Sequence, residues 1–317
     1  KTVKNILAYK AQYYPKTFKV EGKLIEQLAW VEGSQFSTSE QGPAYNDEQF
    51  HVEIPRALTR LYCLELLYRG TQDDYHAFVA AQRDNFKEMS QNGQTPIPIL
   101  TYAGFKDLSK KIKAFGLVGL KALRVSTILH SIHSTPKARA AAKAALPGKY
   151  IPADGTEFLA ATVNQAWHIY PLVVRLIRKY PEAEHLLKSA FSYQMHFRHM
   201  MYTEGGIGMF RTLRKRIQYR LMNQKELDFW YCHWMINITG FRGHINQNGS
   251  LYLTENTYQA MNNMKINLDE MLEEPNYNPL SPYLKFRASL IGLDVKNDND
   301  FEPNMVAHLA AMLRVFD

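Results

Sequence analysis

Cysteine is scarce in this chain: only Cys63 and Cys232 occur among 317 residues. At most one disulfide can form, so a disulfide-stapled scaffold is excluded, and two lone cysteines do not build a thiolate zinc site. Long apolar runs are missing too. Apolar stretches such as those at residues 160–163 and 172–174 are broken by polar residues within a few positions. A spanning helix needs roughly 18–20 apolar residues, so no membrane partner is expected. Residues 1–10 lack the apolar core of a signal peptide, and a reduced, cytoplasmic setting is the expectation. Strand-like alternation is confined to one short candidate at residues 17–20. No internal repeat is present, and low complexity is limited to an alanine-rich stretch at residues 138–145. With 46% hydrophobic and 21% charged residues, the composition also excludes a disordered or fibrous chain.

What remains is helical periodicity. Ala57, Leu58, Leu61, Tyr62, Leu64 and Leu67 recur at three- and four-residue spacing between Pro55 and Gly70. The run from Thr71 to Asp74 reads as a cap for a second helix with Tyr75, Phe78, Val79, Phe86 and Met89 on one face. Residues 106–133 read as a long or paired helical stretch interrupted at Gly116 and Gly119, and the alanine-rich segment stops at Pro147-Gly148. Further helices are predicted over residues 158–180, 181–201, 209–222, 226–239 and 254–272, with a polar loop at 273–282. The expectation is an all-α fold: one multi-helix domain over residues 1–317, with a candidate seam near 137–150 and the chemistry in 151–317.

The net charge of +8 gathers in two stripes. Lys106, Lys110, Lys111, Lys113 and Lys121 form the first; Arg211, Arg214, Lys215, Arg216 and Arg220 form the second. Such stripes can meet phosphates, but each also reads as a solvated helix face, and a nucleic-acid partner is not favoured. A non-catalytic helical interaction protein, its basic face turned to an acidic partner or RNA, is one alternative function.

Eleven histidines are the richest chemical resource. His130 and His133 pair in sequence. On a continuous helix over 181–201, His185 and His196 would share a face, with His199 one turn past His196. Glu182 and His185 have the i, i+3 spacing of di-iron helical bundles, which makes a di-metal enzyme a second alternative. The most distinctive setting is that of His233, which has Phe229, Trp230, Ile236 and Asn237 at helical neighbour spacing. A neutral histidine in an apolar, aromatic pocket is how proteins hold haem; a hydrogen-bonded core histidine has the same surroundings.

The run from Cys232-His233-Trp234-Met235-Ile236-Asn237-Ile238 to Asn248-Gly249-Ser250-Leu251-Tyr252-Leu253 resembles the C-terminal signature of the tryptophan and indoleamine 2,3-dioxygenase superfamily. His233 stands at the haem-ligand position, and Asn248-Gly249-Ser250 at the end of that family's glycine turn, here with most of its glycines missing. Upstream, the segment from Phe191 to Arg198 is similar to a distal stretch whose phenylalanine and arginine face substrate. Glu204 to Phe210 is similar to a glycine-rich loop near that pocket. A divergent branch, near the monodechloroaminopyrrolnitrin synthases, fits best. The resemblance implies an all-helical fold and haem b with its iron on His233. It implies a small aromatic substrate, an indole or related amino-acid derivative, reacting with dioxygen, and self-association as a homo-oligomer. Arg198 would clamp a substrate carboxylate, and His196 would hydrogen-bond an indole nitrogen or bound oxygen. Gly205, Gly206 and Gly208 would let backbone approach the ligand, Ser250 would offer a hydroxyl, and Arg211 with Arg214 would neutralise propionates.

Overall fold

The computed structural model describes residues 47–91, 97–132, 136–191, 196–204, 206–296 and 301–312. Helices α1 (Asp47–Arg69), α2 (Gln72–Phe78), α3 (Ala80–Gln91), α4 (Tyr102–Lys113) and α5 (Gly116–Ile132) come first. They are followed by α6 (Pro136–Ala145), α7 (Gly155–Gln165), a single 3-10 turn at Trp167–Ile169, α8 (Pro171–Lys179), α9 (Ala183–Phe191) and α10 (Phe197–Met201). The chain continues through α11 (Gly206–Gln218), α12 (Gln224–Thr239), α13 (Glu255–Glu273), α14 (Leu280–Leu290) and α15 (Phe301–Met312). The described residues contain no strand, and no helix among them is long and apolar enough to cross a membrane. The strand candidate at residues 17–20 lies outside the described residues.

Helix α12 is the axis around which the others gather. Leu227 and every residue from Phe229 to Thr239 are buried. A helix apolar on all sides must be enclosed on all sides, and α12 packs against α1, α5, α9, α10 and α13. Its large side chains, Trp230, Trp234, Phe229 and Tyr231, are almost wholly withdrawn from water, and side chains of this size each stabilise the fold by roughly 2–3 kcal/mol through burial. One continuous apolar cluster runs from Ala57 to Tyr283 and takes in Ala138 and Ala142, so the core passes through the candidate seam at 137–150. A smaller cluster of Leu284, Ala288, Val295 and Ala307 joins α14 to α15.

The start of α12 is fixed by a reciprocal cap. Asn223 accepts from the Glu226 amide at 3.1 Å, and the Glu226 carboxylate accepts from the Asn223 amide at 2.8 Å. On the solvent side, nearly buried Lys265 of α13 reaches Asp228 at 2.7 Å and also pairs with Asp269. Removing the cap by Asn223→Ala should cost about 1 kcal/mol. Urea unfolding would check this, and a loss below about 0.3 kcal/mol would mean that packing alone sets the start of α12.

Several predicted helices are divided, each for a local reason. The helix expected over 158–180 ends at Gln165 and restarts at Pro171, whose missing N–H suits a first turn and not an interior. The stretch 106–133 is a pair, parted at Ala114–Phe115 before Gly116, whose φ of +60° only glycine adopts without strain. The second helix breaks at Val79 into α2 and α3, where a distant turn takes over its backbone bonds: the Ala81 amide donates to Asn248 O at 2.9 Å, and Phe78 O accepts from the Ser250 amide at 2.8 Å. Helix α1 begins at Asp47, eight residues ahead of Pro55, which it carries inside. Helices α14 and α15 occupy a region read only as loop or left unread.

The first basic stripe turns out to be largely structural. Lys106 and Lys113 donate to carbonyls at and just past the end of α1, Gly70 O at 3.2 Å and Arg69 O at 2.9 Å respectively, and Lys111 pairs with Asp107. Cations at a helix C-terminus satisfy carbonyls that lack intrahelical partners.

Candidate functional site

His233 lies in the middle of α12 at 2% exposure, ringed by aromatic groups. Its ring centroid is 4.9 Å from Phe191, 5.5 Å from Trp234 and 5.8 Å from His130, all edge to face. Its Nδ1 is 3.0 Å from Ser126 Oγ of α5, while its Nε2 is sealed from water and has no hydrogen-bond partner among the described residues. The Ser126 hydroxyl in turn lies 3.0 Å from Leu123 O and donates to it. Burial, and then the charge of Arg60, push the His233 ring down to about 3, so it is neutral at pH 7.

The expected second histidine is close by. His196 precedes α10 in an extended conformation, with its ring between Trp234 (centroids 3.8 Å apart) and His199 (4.2 Å). Its Nδ1 is buried without a partner. Burial first, then repulsion from the neighbouring ring of His199, from Arg198, from the ring of His233 and from Arg60, whenever these carry charge, holds its titration well below the ordinary histidine range. Trp234 Nε1 and Asn237 Nδ2 are also buried and unpartnered. Residues 233, 234 and 237 share one face of α12, so an imidazole nitrogen and two N–H donors, all without partners, collect on that face. Buried polar atoms left unmatched are rare in folded proteins, and a group of them calls for a partner. Trp234 joins the cluster together, since it touches His130, His196 and His233.

Other expected contributors sit elsewhere. Arg198 is half-buried with its guanidinium 4.2 Å above the Phe241 ring, a cation–π contact. Arg211 is exposed on α11, whose main helix neighbours are α10 and α13 and not α12. Arg214 is tied to Tyr277 O at 3.1 Å. Gly205 lies outside the described residues; Gly206 is the first residue of α11, and Gly208 is exposed within it with open space where a Cβ would be. The glycine-rich loop is therefore a helix start at its described residues, and Gly208 makes no close backbone approach to anything within the chain.

Ser250 corrects its expected role. Its hydroxyl donates to Thr239 O at 2.8 Å and accepts from the Leu253 amide at 3.1 Å, with the residue wholly buried. Its single hydrogen goes to holding the turn after α12, so it has none to give a ligand, and Thr254 caps α13. In the segment from Phe191 to Arg198, Phe191 touches the His233 ring itself, and Phe197 lies against Trp230 and Tyr231, so both pack on α12. The continuous helix expected over 181–201 ends at Phe191 and α10 starts at Phe197, so His185 and His196 share no helix face. His185 is exposed and paired with Glu226 at 2.9 Å, Glu182 is exposed, and the described residues include no group of three or more metal-ligating side chains. The di-metal alternative loses its basis there. His133 lies outside the described residues.

Set against known proteins, the chain matches no family model, no curated protein and no solved structure.

The site draws on both halves of the chain and is not confined to 151–317. Ser126 and His130 come from α5, one helical turn apart and so on one face, and Arg60 of α1 donates to Asn237 O at 3.3 Å. Nothing in the residue pattern marked Ser126 or Arg60. The one usable signal was the i, i+4 relation of Ser126 to His130, and it points to a histidine only once α5 is known to pack on α12. Haem asks for a neutral imidazole nitrogen with a free lone pair in a dry aromatic setting. As a donor set, His233 Nε2 with its aromatic neighbours fits that requirement.

Proposed function

We propose that this chain is a haem-dependent, oxygen-using enzyme acting on an indole or a related aromatic amino-acid derivative. His233 would hold the iron of haem b through Nε2. The observation that carries the reading is that atom: buried, without a partner, on a neutral ring, among Phe191, Trp234 and His130. When bound, the haem supplies the activation of dioxygen, which no side chain provides. The chain's own contribution is placement. Ser126 orients the ring of His233, the aromatic wall excludes water, and Trp234 Nε1 and Asn237 Nδ2 offer N–H donors to a polar edge of a ligand. His196, kept neutral by burial, places its unpartnered Nδ1 beside Trp234. Arg198 would recognise a substrate carboxylate by moving off the Phe241 ring on which it rests.

Hemin titration followed by absorption spectroscopy tests the reading. A Soret band that saturates near one equivalent is expected for the wild type, with loss of that band in His233→Ala. A protein that ignores hemin, or a His233→Ala variant that retains it fully, would sink the assignment.

A further inference from the structure

We propose that Ser126 is the positioning residue of His233, holding its imidazole in the Nδ1–H tautomer so that Nε2 is presented as a bare lone pair. A serine hydroxyl has one hydrogen to give. Two acceptors compete for it, Leu123 O at 3.0 Å and His233 Nδ1 at 3.0 Å. If the hydrogen goes to Leu123 O, Ser126 Oγ can only accept, and the proton between serine and histidine belongs to Nδ1. If it goes to Nδ1, the neutral ring must carry its proton on Nε2.

The surroundings of Nε2 decide between the two. That atom is buried with no hydrogen-bond partner among the described residues, and the other unpartnered groups on the same helix face, Trp234 Nε1 and Asn237 Nδ2, are N–H donors. A proton on Nε2 would add a third orphaned donor beside Trp234 Nε1 and Asn237 Nδ2 on that helix face. A bare nitrogen is the cheaper state, because orphaned buried N–H groups are rarer in proteins than under-used acceptors. Leu123 O also takes the Thr127 hydroxyl at 2.8 Å, so it is a shared acceptor. Among the described residues, Ser126 Oγ is the one polar side-chain atom hydrogen-bonded to the His233 ring.

This fixes what the ring can bind. A partner of His233 must approach Nε2 and bring an empty orbital or a proton. The group behind the ring is a neutral hydroxyl and not a carboxylate, so a ligand of His233 meets an imidazole with little imidazolate character. The consequence for haem rests on the functional reading above; the tautomer does not.

The experiment uses the full chain labelled with nitrogen-15, without added cofactor, at pH 7. Long-range proton–nitrogen spectra should show His233 protonated on Nδ1 and unprotonated on Nε2. The preference should be lost in Ser126→Ala and restored in Ser126→Thr, which keeps a hydroxyl. An Nε2–H tautomer in the wild type, or an Nδ1–H tautomer unchanged in Ser126→Ala, would overturn the proposal. The wild-type spectrum decides it even where Ser126→Ala does not fold. In a second arm, hemin affinity should fall about 10–100-fold in Ser126→Ala and recover in Ser126→Thr, the range typical of lost support behind a metal-bound histidine. Equal hemin affinity in the alanine variant also counts against the positioning role. A wild type with the Nδ1–H tautomer that ignores hemin removes the haem reading and leaves Ser126 in place.

Discussion

Gly249→Ala should destabilise the protein by on the order of 4 kcal/mol, far more than alanine at another left-handed glycine. Gly249 has a φ of +101°, and a Cβ there would lie 2.4 Å from both Ala77 O and Phe78 O. These are backbone atoms at the break between α2 and α3, so no rotamer change relieves the overlap. The same break receives the Ser250 amide and lends the Ala81 amide to Asn248. Pushing the turn away would weaken both bonds, each worth about 1 kcal/mol. The left-handed backbone adds roughly 1–2 kcal/mol for any residue with a Cβ. Gly148 provides the comparison: its φ is +73° but nothing lies within 4 Å of its Cβ position, so Gly148→Ala should show the backbone cost alone, about 1 kcal/mol. Urea unfolding of both variants checks the difference. If the two agree within about 1 kcal/mol, the turn is not seated on α2 and α3 as described.

That turn also shows where the sequence was readable and where it was not. Apolar spacing made the all-α class plain, and α12 and α13 were predicted to within two residues of their bounds. The Asn-Gly signal marked a turn at 246–250. No local rule says that this turn will take the backbone bonds of a helix well over 150 residues earlier, which is why α2 and α3 read as one helix. The same limit governs the site. His233 stood out because its helical neighbours are aromatic, a local property. Ser126, Arg60 and Trp234's role as the shared contact of three histidines come from the packing of α5, α1 and the segment before α10 onto α12. Ser250 misled for a related reason. The resemblance implied a hydroxyl offered to a ligand, whereas Ser250 gives its one hydrogen to Thr239 O and accepts from the Leu253 amide.

The buried histidines should make the cofactor-free protein sensitive to mild acid. In the unfolded chain a histidine titrates near 6.5, while in the fold His233 is pushed down to about 3 and His196 is held well below the ordinary range. Above pH 6.5 the rings are neutral in both states and contribute no pH dependence. Below it, the unfolded chain takes up protons that the folded chain refuses, so stability is lost as pH falls from about 6.5 toward about 3. Each histidine kept neutral across part of that range contributes a slope of about 1.4 kcal/mol per pH unit there. Carboxylates such as Asp74, whose titration is lowered by its bonds to Arg69 and Thr71 in spite of burial, act at lower pH. The window from pH 6.5 to 5 therefore isolates the histidines. Urea unfolding at pH 7 and pH 5 should show a marked loss in the wild type. A His196→Gln, His233→Gln double variant should lose clearly less over the same interval, with His308, also lowered by burial, left as background. An equal loss in the two proteins would mean that His196 and His233 are open to protons in the fold, and so to water, which would remove the dry setting on which a haem site at His233 depends.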